Sequence, residues 1–350
     1  MVTGDHPATA RAIAEEVGLL GPDGLVLTGA DLPADDGELA DLIDRDGVVL
    51  ARIAPEDKLR IARVLRERGH VVAMTGDGVN DALALREAAI GIAMGRSGTD
   101  VAREAADLVL LDDDFATIVA AVEQGRAAFS NIRRFLTYHL TDNVAELAPF
   151  VVWGLSGGSF PLAIGVLQVL ALDIGTDILP ALALGGEPPG AHTLEQPPIR
   201  RHLLDRKLFA RAFGVLGPVE AAVELLAFVT TFYVAGWRPG DDFPGGATLL
   251  AASGAAFTAV VLGQLANAFA CRSTVRPAWK VGWTTNRLLL GALVAEVAML
   301  VVFLYVPPVA ELLGHAPPPA AGVAVALVAI PAVVLADAAQ KAVRRRRLHI

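Results

Sequence analysis

From about residue 135 onward, the chain is a succession of apolar segments that are each long enough to cross a lipid bilayer. They lie near residues 133–156, 161–184, 209–235, 247–271, 287–308 and 321–343. A bilayer core about 30 Å thick needs about 20 helical residues. Because lipid offers no partner to backbone polar groups, such segments fold as helices. The sequence therefore predicts an all-α membrane domain of about six transmembrane helices, in contact with membrane lipid.

The charges between the apolar segments indicate how these helices are oriented. Basic residues gather at 200–211, 272–287 and 341–347, after the second, fourth and sixth segments. By the positive-inside rule these connections face the cytoplasm, and six crossings put the N-terminal part on the same side. We therefore expect a multi-pass protein of the plasma membrane with a cytoplasmic N-terminal part and C-terminus. The abundance of Ala, Arg, Gly and Pro over Lys favours a bacterial source.

The first 130 residues or so read as a soluble α/β domain. Short apolar strands near Gly47–Ile53, Ile90–Met94 and Leu108–Leu111 alternate with amphipathic helices such as Pro55–Arg68. This alternation is typical of a doubly wound parallel sheet. The net charge of −9 and the lack of a basic stripe argue against nucleic acid as a partner. The single cysteine, Cys271, excludes an internal disulfide and a cysteine metal site.

The strongest signal in the soluble part is the string MTGDGVND at residues 74–81, which follows an apolar run. Its two glycines let the backbone turn tightly and approach a ligand closely. Asp77 and Asp81 supply the hard oxygen ligands that Mg²⁺ prefers. Asn80 can hydrogen-bond a carboxylate or a phosphoryl oxygen. The string therefore predicts a site that handles phosphate and Mg²⁺.

This string resembles the hinge motif of P-type ATPases, which belong to the haloacid-dehalogenase-like superfamily. The resemblance extends to MVTGD at 1–5, ARIAPEDK at 51–58, IGIAMGRSGT at 90–99 and DFATIVAAVEQGR at 114–126. It covers essentially the whole chain and is closest to the calcium and sodium/potassium pump branches. It implies that residues 1–125 are the C-terminal part of a cytoplasmic phosphorylation domain with a partial Rossmannoid fold. Residues 126–345 would then be the cation-transport domain, with the family's helices five to ten.

The resemblance also implies a set of catalytic residues, namely Thr3, Gly4, Asp5, Lys58, Asn80 and Asp81. Thr3 and Gly4 would contact the phosphoryl group, and Lys58 would neutralise its charge. Asp77 would bind Mg²⁺, with Asp81 as a second metal ligand. ATP would be bound through the family's separate nucleotide-binding domain. The chain departs from the family at Leu83, where a proline is usual, and this change removes no ligand.

Two of the apolar segments carry acidic residues, which are costly inside a membrane and usually functional. Asn143 and Glu146 are three residues apart, and Asp173 and Asp177 are four apart, so each pair shares one face of its helix. Carboxylate, amide and hydroxyl oxygens together suit a hard cation. The sequence therefore predicts a cation site between the first two segments. A hydrogen-bond network without an ion remains the alternative.

These stretches resemble the family's ion-coordinating helices, and the implied ligands are Asn143, Glu146, Asp173, Thr176 and Asp177, joined from the eighth helix by Gln264 and Asn267. Asp173 stands where sodium/potassium pumps carry aspartate and calcium pumps asparagine. Gln264 replaces the glutamate of calcium pumps. The cargo therefore stays open between calcium, sodium, potassium, protons and manganese. We expect structural roles for His139 and Asp142, and three further acidic residues have no motif support: Glu220, Glu224 and Glu296.

The nucleophile of the family is the aspartate of a DKTGT motif, and the 350 residues contain neither this motif nor the actuator's TGE. The run Asp112-Asp113-Asp114 comes after the hinge motif, which favours a helix-capping or solvated role over catalysis. We therefore expect part of an ATP-driven cation pump that is inactive alone, with an N-terminal half encoded separately. A non-catalytic truncated or regulatory protein of the same fold is the alternative. The absence of DKTGT argues against a membrane-attached phosphatase.

Overall fold

The computed structural model describes residues 1–190, 193–195 and 202–348. The chain divides into two compact units, Met1–Ala121 and Val122–Ile350. The assignment of residues 1–125 to a phosphorylation domain and of residues 126–345 to a transport domain stays a prediction.

The first unit is an α/β structure, as the sequence predicts. Its strands are β1 (Leu25–Thr28), β2 (Val48–Ala51), β3 (Ala73–Gly76), β4 (Ile90–Met94) and β5 (Leu108–Leu110). Its helices are α1 (Pro7–Glu16), α2 (Asp36–Ile43), α3 (Pro55–Glu67), α4 (Ala82–Glu87) and α5 (Asp100–Ala105), with 3₁₀ turns at Gly29–Asp31 and Val79–Asp81. Every paired strand runs parallel to its neighbour.

The strands of the first unit form two short sheets, where the sequence analysis expected one. β1 pairs with β2, whose other edge is bridged by Val2, and β3, β4 and β5 form the second sheet in that order. Sequence reasoning missed β1, α2 and α5. The stretch around β1 and α2 is rich in Gly, Asp and Pro, which favour turns. Because β1 has only four residues, its apolar pattern is too short to be recognised among them.

Each sheet of the first unit has its own apolar core. Residues of α2, α3 and β2 pack together on the first sheet, with Leu39, Leu50 and Ile61 almost fully buried. A smaller cluster around Leu85 and Ala93 lies on the second sheet. The apolar periodicity of α3 therefore matches its buried face, as expected for a helix that covers a parallel sheet.

A three-residue loop after β4 is held by a single carboxylate. The backbone amides of Gly95, Arg96 and Ser97 donate hydrogen bonds to Asp113 at 2.7, 3.0 and 2.8 Å. Asp113 adopts a left-handed conformation with φ of 59°, which an aspartate tolerates better than most residues. These bonds, the Arg96 amide foremost, lower the pKa of Asp113 from 3.8 to about 2. The neighbouring Asp114 accepts from the Ala116 amide at the start of the next helix.

We expect Asp113→Asn to loosen this loop, since an amide offers one acceptor oxygen where the carboxylate offers two. Hydrogen exchange at the Gly95–Ser97 amides should rise about tenfold, while Asp23→Ala, at an exposed position, should leave it unchanged. The pKa is lowered in the folded state, so the stabilisation is complete above pH 4 and disappears as the pH falls toward 2. Loop protection factors of the wild type that stay constant down to pH 2 would contradict this role.

In the residues that the structure describes, the second unit consists of helices and their connections, with one isolated β-bridge between Pro239 and Asp241. Its helices are α6 (Phe115–Leu155, which begins before the unit boundary), α7 (Val166–Ala171), α8 (Ile178–Gly185), α9 (Arg206–Arg211), α10 (Gly217–Val234), α11 (Ala247–Cys271), α12 (Arg287–Tyr305), α13 (Pro307–Leu313), α14 (Ala320–Ala326) and α15 (Ala329–Leu348). A π-helical turn, Leu172–Asp177, joins α7 to α8, and another, Ala212–Leu216, joins α9 to α10. A 3₁₀ turn lies at Ala278–Lys280.

Among the residues that the structure describes, five helical spans have the length and apolar composition to cross a membrane. They are Val166–Gly185, Arg206–Val234, Ala247–Cys271, Arg287–Tyr305 and Ala320–Arg346. They coincide with five of the six predicted segments. The remaining segment, 133–156, lies in α6, where charged residues such as Arg133 and Glu146 reduce the apolar character, so its crossing stays a prediction. Arg200 and Arg201 of the basic connection lie outside the described residues.

Helix α11 lies at the centre of the second unit and packs against α10, α12, α14 and α15. Small residues on its surface permit this close packing. At Gly254, a Cβ atom would lie 2.0 Å from the carbonyl oxygen of Ala316, which is backbone and cannot move aside. By contrast, a Cβ atom at Gly291 on α12 would meet nothing within 4 Å.

These two glycines make a matched test of the packing. Gly254→Ala should destabilise the detergent-purified chain by about 1–3 kcal/mol, because the added methyl group overpacks a backbone contact. Gly291→Ala, the same change on a neighbouring helix, should leave the thermal unfolding temperature unchanged or slightly higher. Equal melting temperatures for the two variants would show that α11 does not pack on residue 316 as described.

Candidate functional site

The loop that the sequence predicts to handle phosphate begins at the end of β3 and is fastened by one ion pair. Lys58 Nζ on α3 lies 2.7 Å from Asp81 Oδ1, and the Gly78 amide donates to Asp81 Oδ2 at 3.2 Å. The structure thus joins two of the predicted catalytic residues, which come from different motifs 23 residues apart. Both side chains are partly accessible, so a ligand can still reach the pair.

The environment of Asp81 favours its charged form. Partial burial of the carboxyl works against ionisation. The hydrogen bond and charge of Lys58, with the amides of Gly78 and Asp77, outweigh this effect and lower the pKa of Asp81 below 3.8. Asp81 is therefore ionised at neutral pH, which is the state that its predicted role as a Mg²⁺ ligand requires.

The other predicted residues of this site lie on the surface of the first unit. Asp77 and Asn80 are exposed, and the Asp77 carbonyl accepts from the Thr99 amide at 2.8 Å, which fixes the loop to the start of α5. The Thr3 hydroxyl donates to Asp5 at 3.0 Å, and Gly4 between them is exposed. Their catalytic and Mg²⁺-binding roles stay predictions.

Four of the predicted cation ligands are buried together in the second unit. Gln264 of α11 donates from Nε2 to Glu146 of α6 at 3.4 Å, and its Oε1 lies 3.0 Å from the hydroxyl of Thr176. The next residue, Asp177, accepts from the Tyr138 hydroxyl at 2.8 Å and lies 3.1 Å from the His139 ring nitrogen. Oxygen atoms from three helical elements therefore meet, although the sequence separates Glu146 from Gln264 by 118 residues and Thr176 from Gln264 by 88.

A π-helical turn carries three of these ligands: Asp173, Thr176 and Asp177. Gly175 lies within this turn and Pro180 lies three residues after it, and both residue types weaken a regular α-helix. The Thr176 hydroxyl lies 2.9 Å from the Leu172 carbonyl, which satisfies a backbone group within the widened turn. Single π turns inside α-helices occur frequently at functional sites.

Two predicted amide ligands are placed differently. Asn267 is fully buried and donates to Asp142 Oδ1 at 2.9 Å and to the Tyr138 carbonyl at 3.2 Å. Asn143 is half-buried, and its amide donates to the His139 carbonyl of its own helix at 2.7 Å. Asn267 therefore links α11 to α6 beside the predicted cation site. In Asn143 the amide nitrogen is already hydrogen-bonded, so its side-chain oxygen is the atom that could still coordinate a cation.

Sequence reasoning missed a further group of buried carboxyls. Their side chains are at most 2% exposed, and they are Asp142, Glu220, Glu224 and Glu296. Asp142 Oδ2 and both carboxyl oxygens of the three glutamates have no hydrogen-bond partner in the described part of the chain. Glu220 and Glu224 are four residues apart on an apolar helix, a signal that was available but matched no motif.

The other buried charges of the second unit are paired. Asp337 binds both Arg211, at 2.7 Å, and Lys341, at 2.5 Å, and Arg272 binds Glu187 at 2.6 Å. Within residues 1–190, 193–195 and 202–348, no lysine or arginine makes such a pair with Glu146 or with the missed carboxyls. Since isolated buried carboxylates are strongly unfavourable, this group requires bound cations or protons.

Comparisons with known proteins agree with this description. The family model "Cation transporting ATPase, C-terminus" matches residues 161–343, and that of haloacid dehalogenase-like hydrolases matches residues 1–89. The chain belongs to the cation-transporting ATPases. The predicted P-type ATPase resemblance is thereby confirmed, as is a membrane protein with a haloacid-dehalogenase-like part.

The curated relatives of this cation-transporting ATPase chain are much longer. It is 40% identical over 321 residues to the "Probable cation-transporting ATPase F" of Mycobacterium tuberculosis (strain H37Rv), covering 91% of this chain and 34% of the relative. It is 38% identical over 312 residues to the "Calcium-transporting ATPase" of Bacillus subtilis (strain 168), covering 88% and 33%. It is 38% identical over 263 residues to the "Sodium/potassium-transporting ATPase subunit alpha-A" of Artemia franciscana, covering 67% and 26%. The chain thus spans about a third or less of their length.

The link between α6 and α11 can be tested at Asn267. Asn267→Leu should destabilise this ATPase chain by about 1–3 kcal/mol, because it removes the donor to the buried Asp142 Oδ1 and an additional bond to the Tyr138 carbonyl. Thr258→Val on the same helix is the control, since the Thr258 hydroxyl bonds only to the Gly254 carbonyl of its own helix. Thermal unfolding in detergent would measure both changes. Equal effects of the two substitutions would argue against the Asn267 link.

Proposed function

We propose that this chain is part of an ATP-driven pump that couples aspartyl phosphorylation to the movement of a metal cation across the membrane. The observation that carries the proposal is the buried group of carboxyls without basic partners in a helical unit suited to a bilayer. Glu146, Asp173, Thr176, Asp177 and Gln264 would hold the cation. Glu146 and Gln264 bring α6 and α11 to the π turn, so movement of any one element would change the site.

In this proposal, the first unit supplies the surroundings of the phosphorylated aspartate. Asp77 and Asp81 would bind Mg²⁺, and Lys58 would neutralise charge on the phosphoryl group, with Thr3 and Gly4 as further contacts. Electrostatic stabilisation of this kind is the main contribution of proteins to phosphoryl transfer. The ion pair between Lys58 and Asp81 holds the two groups in place before the ligand arrives.

The phosphorylated aspartate itself would come from polypeptide beyond these 350 residues, on the same chain or on a separately encoded N-terminal half. That portion would also bring the nucleotide-binding and actuator domains. β3 supports this, because within the described residues it pairs only with β4 and is an edge strand. Val71, 80% exposed, and the nearby Val79 and Leu83 are apolar side chains that an added segment would cover.

The cargo and the location are part of the same proposal. The relatives are named as calcium, sodium/potassium and unspecified cation transporters, so a metal cation is the supported class. We place the pump in a bacterial plasma membrane, with the first unit and the C-terminus cytoplasmic. The alternative function, a non-catalytic regulatory protein of the same fold, rests on the lack of a DKTGT motif in the sequence.

The test is phosphoenzyme formation from γ-labelled ATP and Mg²⁺, with the chain alone and with the N-terminal two-thirds of the M. tuberculosis relative. We expect label only in the combination, on the N-terminal portion. Lys58→Ala should lower the label about 100-fold, as loss of a charge-stabilising group does. Arg63→Ala, an exposed position on the same helix, should leave it unchanged.

Two results would contradict the proposal, the first as a whole and the second in the role of Lys58. Absence of label although the two portions co-purify would favour the non-catalytic alternative. Equal labelling of the wild type and Lys58→Ala would remove Lys58 from the phosphoryl site.

A further inference from the structure

One corner of the cation site contains a histidine, which the sequence analysis treated as structural. His139 on α6 offers a ring nitrogen, and Asp173 and Asp177 each offer a carboxylate oxygen, and these three atoms lie within 4.8 Å of one another. His139 Nδ1 is 3.1 Å from Asp177 Oδ2. Two carboxylates and an imidazole therefore converge on one point.

Neighbouring side chains fix the orientation of these groups. The ring of Phe135, one helical turn earlier, stacks on His139 with 5.9 Å between centroids and an interplanar angle of 10°. The Tyr138 hydroxyl donates to Asp177 Oδ1 and leaves Oδ2 directed at the histidine. Outer contacts of this kind orient ligands in metal sites and strengthen binding.

The spacing suits a small divalent ion. Metal–ligand bonds of ~2.1 Å at right angles separate neighbouring ligand atoms by ~3 Å, close to the 3.1 Å between His139 and Asp177. His139 is 41% exposed and Asp173 is half-buried, so the described helices do not enclose these two side chains and positions for further ligands remain open. Calcium and alkali ions prefer oxygen ligands alone, whereas imidazole with carboxylates is typical of first-row transition metals.

We propose that His139, Asp173 and Asp177 form a site for a divalent transition-metal ion such as Mn²⁺, with direct coordination by the His139 ring nitrogen. The inference rests on the proposed function, because it assigns a cargo class to the same cation site. The competing description is an ion pair, in which a protonated His139 donates to Asp177 and contacts no metal. The two differ in whether nitrogen is bound to the ion.

Pulsed electron paramagnetic resonance on bound Mn²⁺ distinguishes them, since it detects a coordinated ¹⁴N nucleus. The full chain is purified in detergent with a tag that contains no histidine, and Mn²⁺ is added below stoichiometric amounts. In the wild type we expect the spin-echo decay of Mn²⁺ to be modulated by a coordinated ¹⁴N nucleus, a signal called nitrogen modulation below. This modulation should be lost in His139→Gln. It should be retained in His202→Gln, because His202 is an exposed histidine outside the site. His139→Gln should also weaken Mn²⁺ binding at least about tenfold, with ⁴⁵Ca²⁺ binding changed less than twofold.

A wild-type chain that binds no Mn²⁺, or binds it without nitrogen modulation, overturns the proposal without need of a variant. Modulation that persists in His139→Gln also overturns it, because another nitrogen is then the ligand. None of these results affects the phosphoenzyme test, which requires no Mn²⁺. Conversely, a nitrogen-coordinated Mn²⁺ in a chain that never supports phosphorylation would keep the metal site and reject the pump.

Discussion

The stability of the second unit depends on how its apolar interior accommodates negatively charged side chains. Glu146, Glu220, Glu224 and Glu296 are almost fully buried and have no basic partner among the described residues. Removing such groups from water costs several kcal/mol each when they are charged and unpaired. Bound cations or protons can remove that cost, so occupancy of the site and stability of the helical unit are linked. An arrangement that is unfavourable when empty agrees with the proposed function, in which the unit binds an ion.

The paired charges of the same unit show that burial alone does not mark function. Asp337 lies between Arg211 and Lys341, both of which also donate to the Ala270 carbonyl, and Glu187 is held by Arg272. These groups satisfy one another and fix helix ends, which is a structural role. What distinguishes the buried glutamates, from Glu146 to Glu296, is the lack of a basic partner among the described residues, and the sequence gives no direct sign of pairing. Lys341 and Asp337 are adjacent on one helix, but Arg211 is 126 residues away from Asp337.

Local patterns predicted the elements of this chain better than its contacts. The lengths of the apolar segments identified five of the helical spans, and the glycine loop at residues 75–78 marked the end of β3. Lys58 and Asp81 were assigned to one site only because both lie in motifs that resemble the family. The sequence separation of 23 residues does not by itself predict that α3 lies against the loop after β3. The role of His139 depends on its distance to Asp177, 38 residues away, and on the stacked ring of Phe135. Such pairings arise from helix packing, which local periodicity does not encode.

Close packing of helices assembles the unpaired carboxyls. A Cβ atom at Gly217 of α10 would lie 2.5 Å from the Val144 side chain, so α10 contacts α6 closely between Asp142 and Glu146. A Cβ atom at Gly263 of α11 would lie 3.1 Å from Glu220, whose carboxyl lies near that of Asp142. The π turn Ala212–Leu216 immediately precedes Gly217 and its contact with α6. Small residues that draw helices together ordinarily increase dispersion contacts. Here they draw carboxyl groups together, and bound cations or protons would remove the cost of that packing.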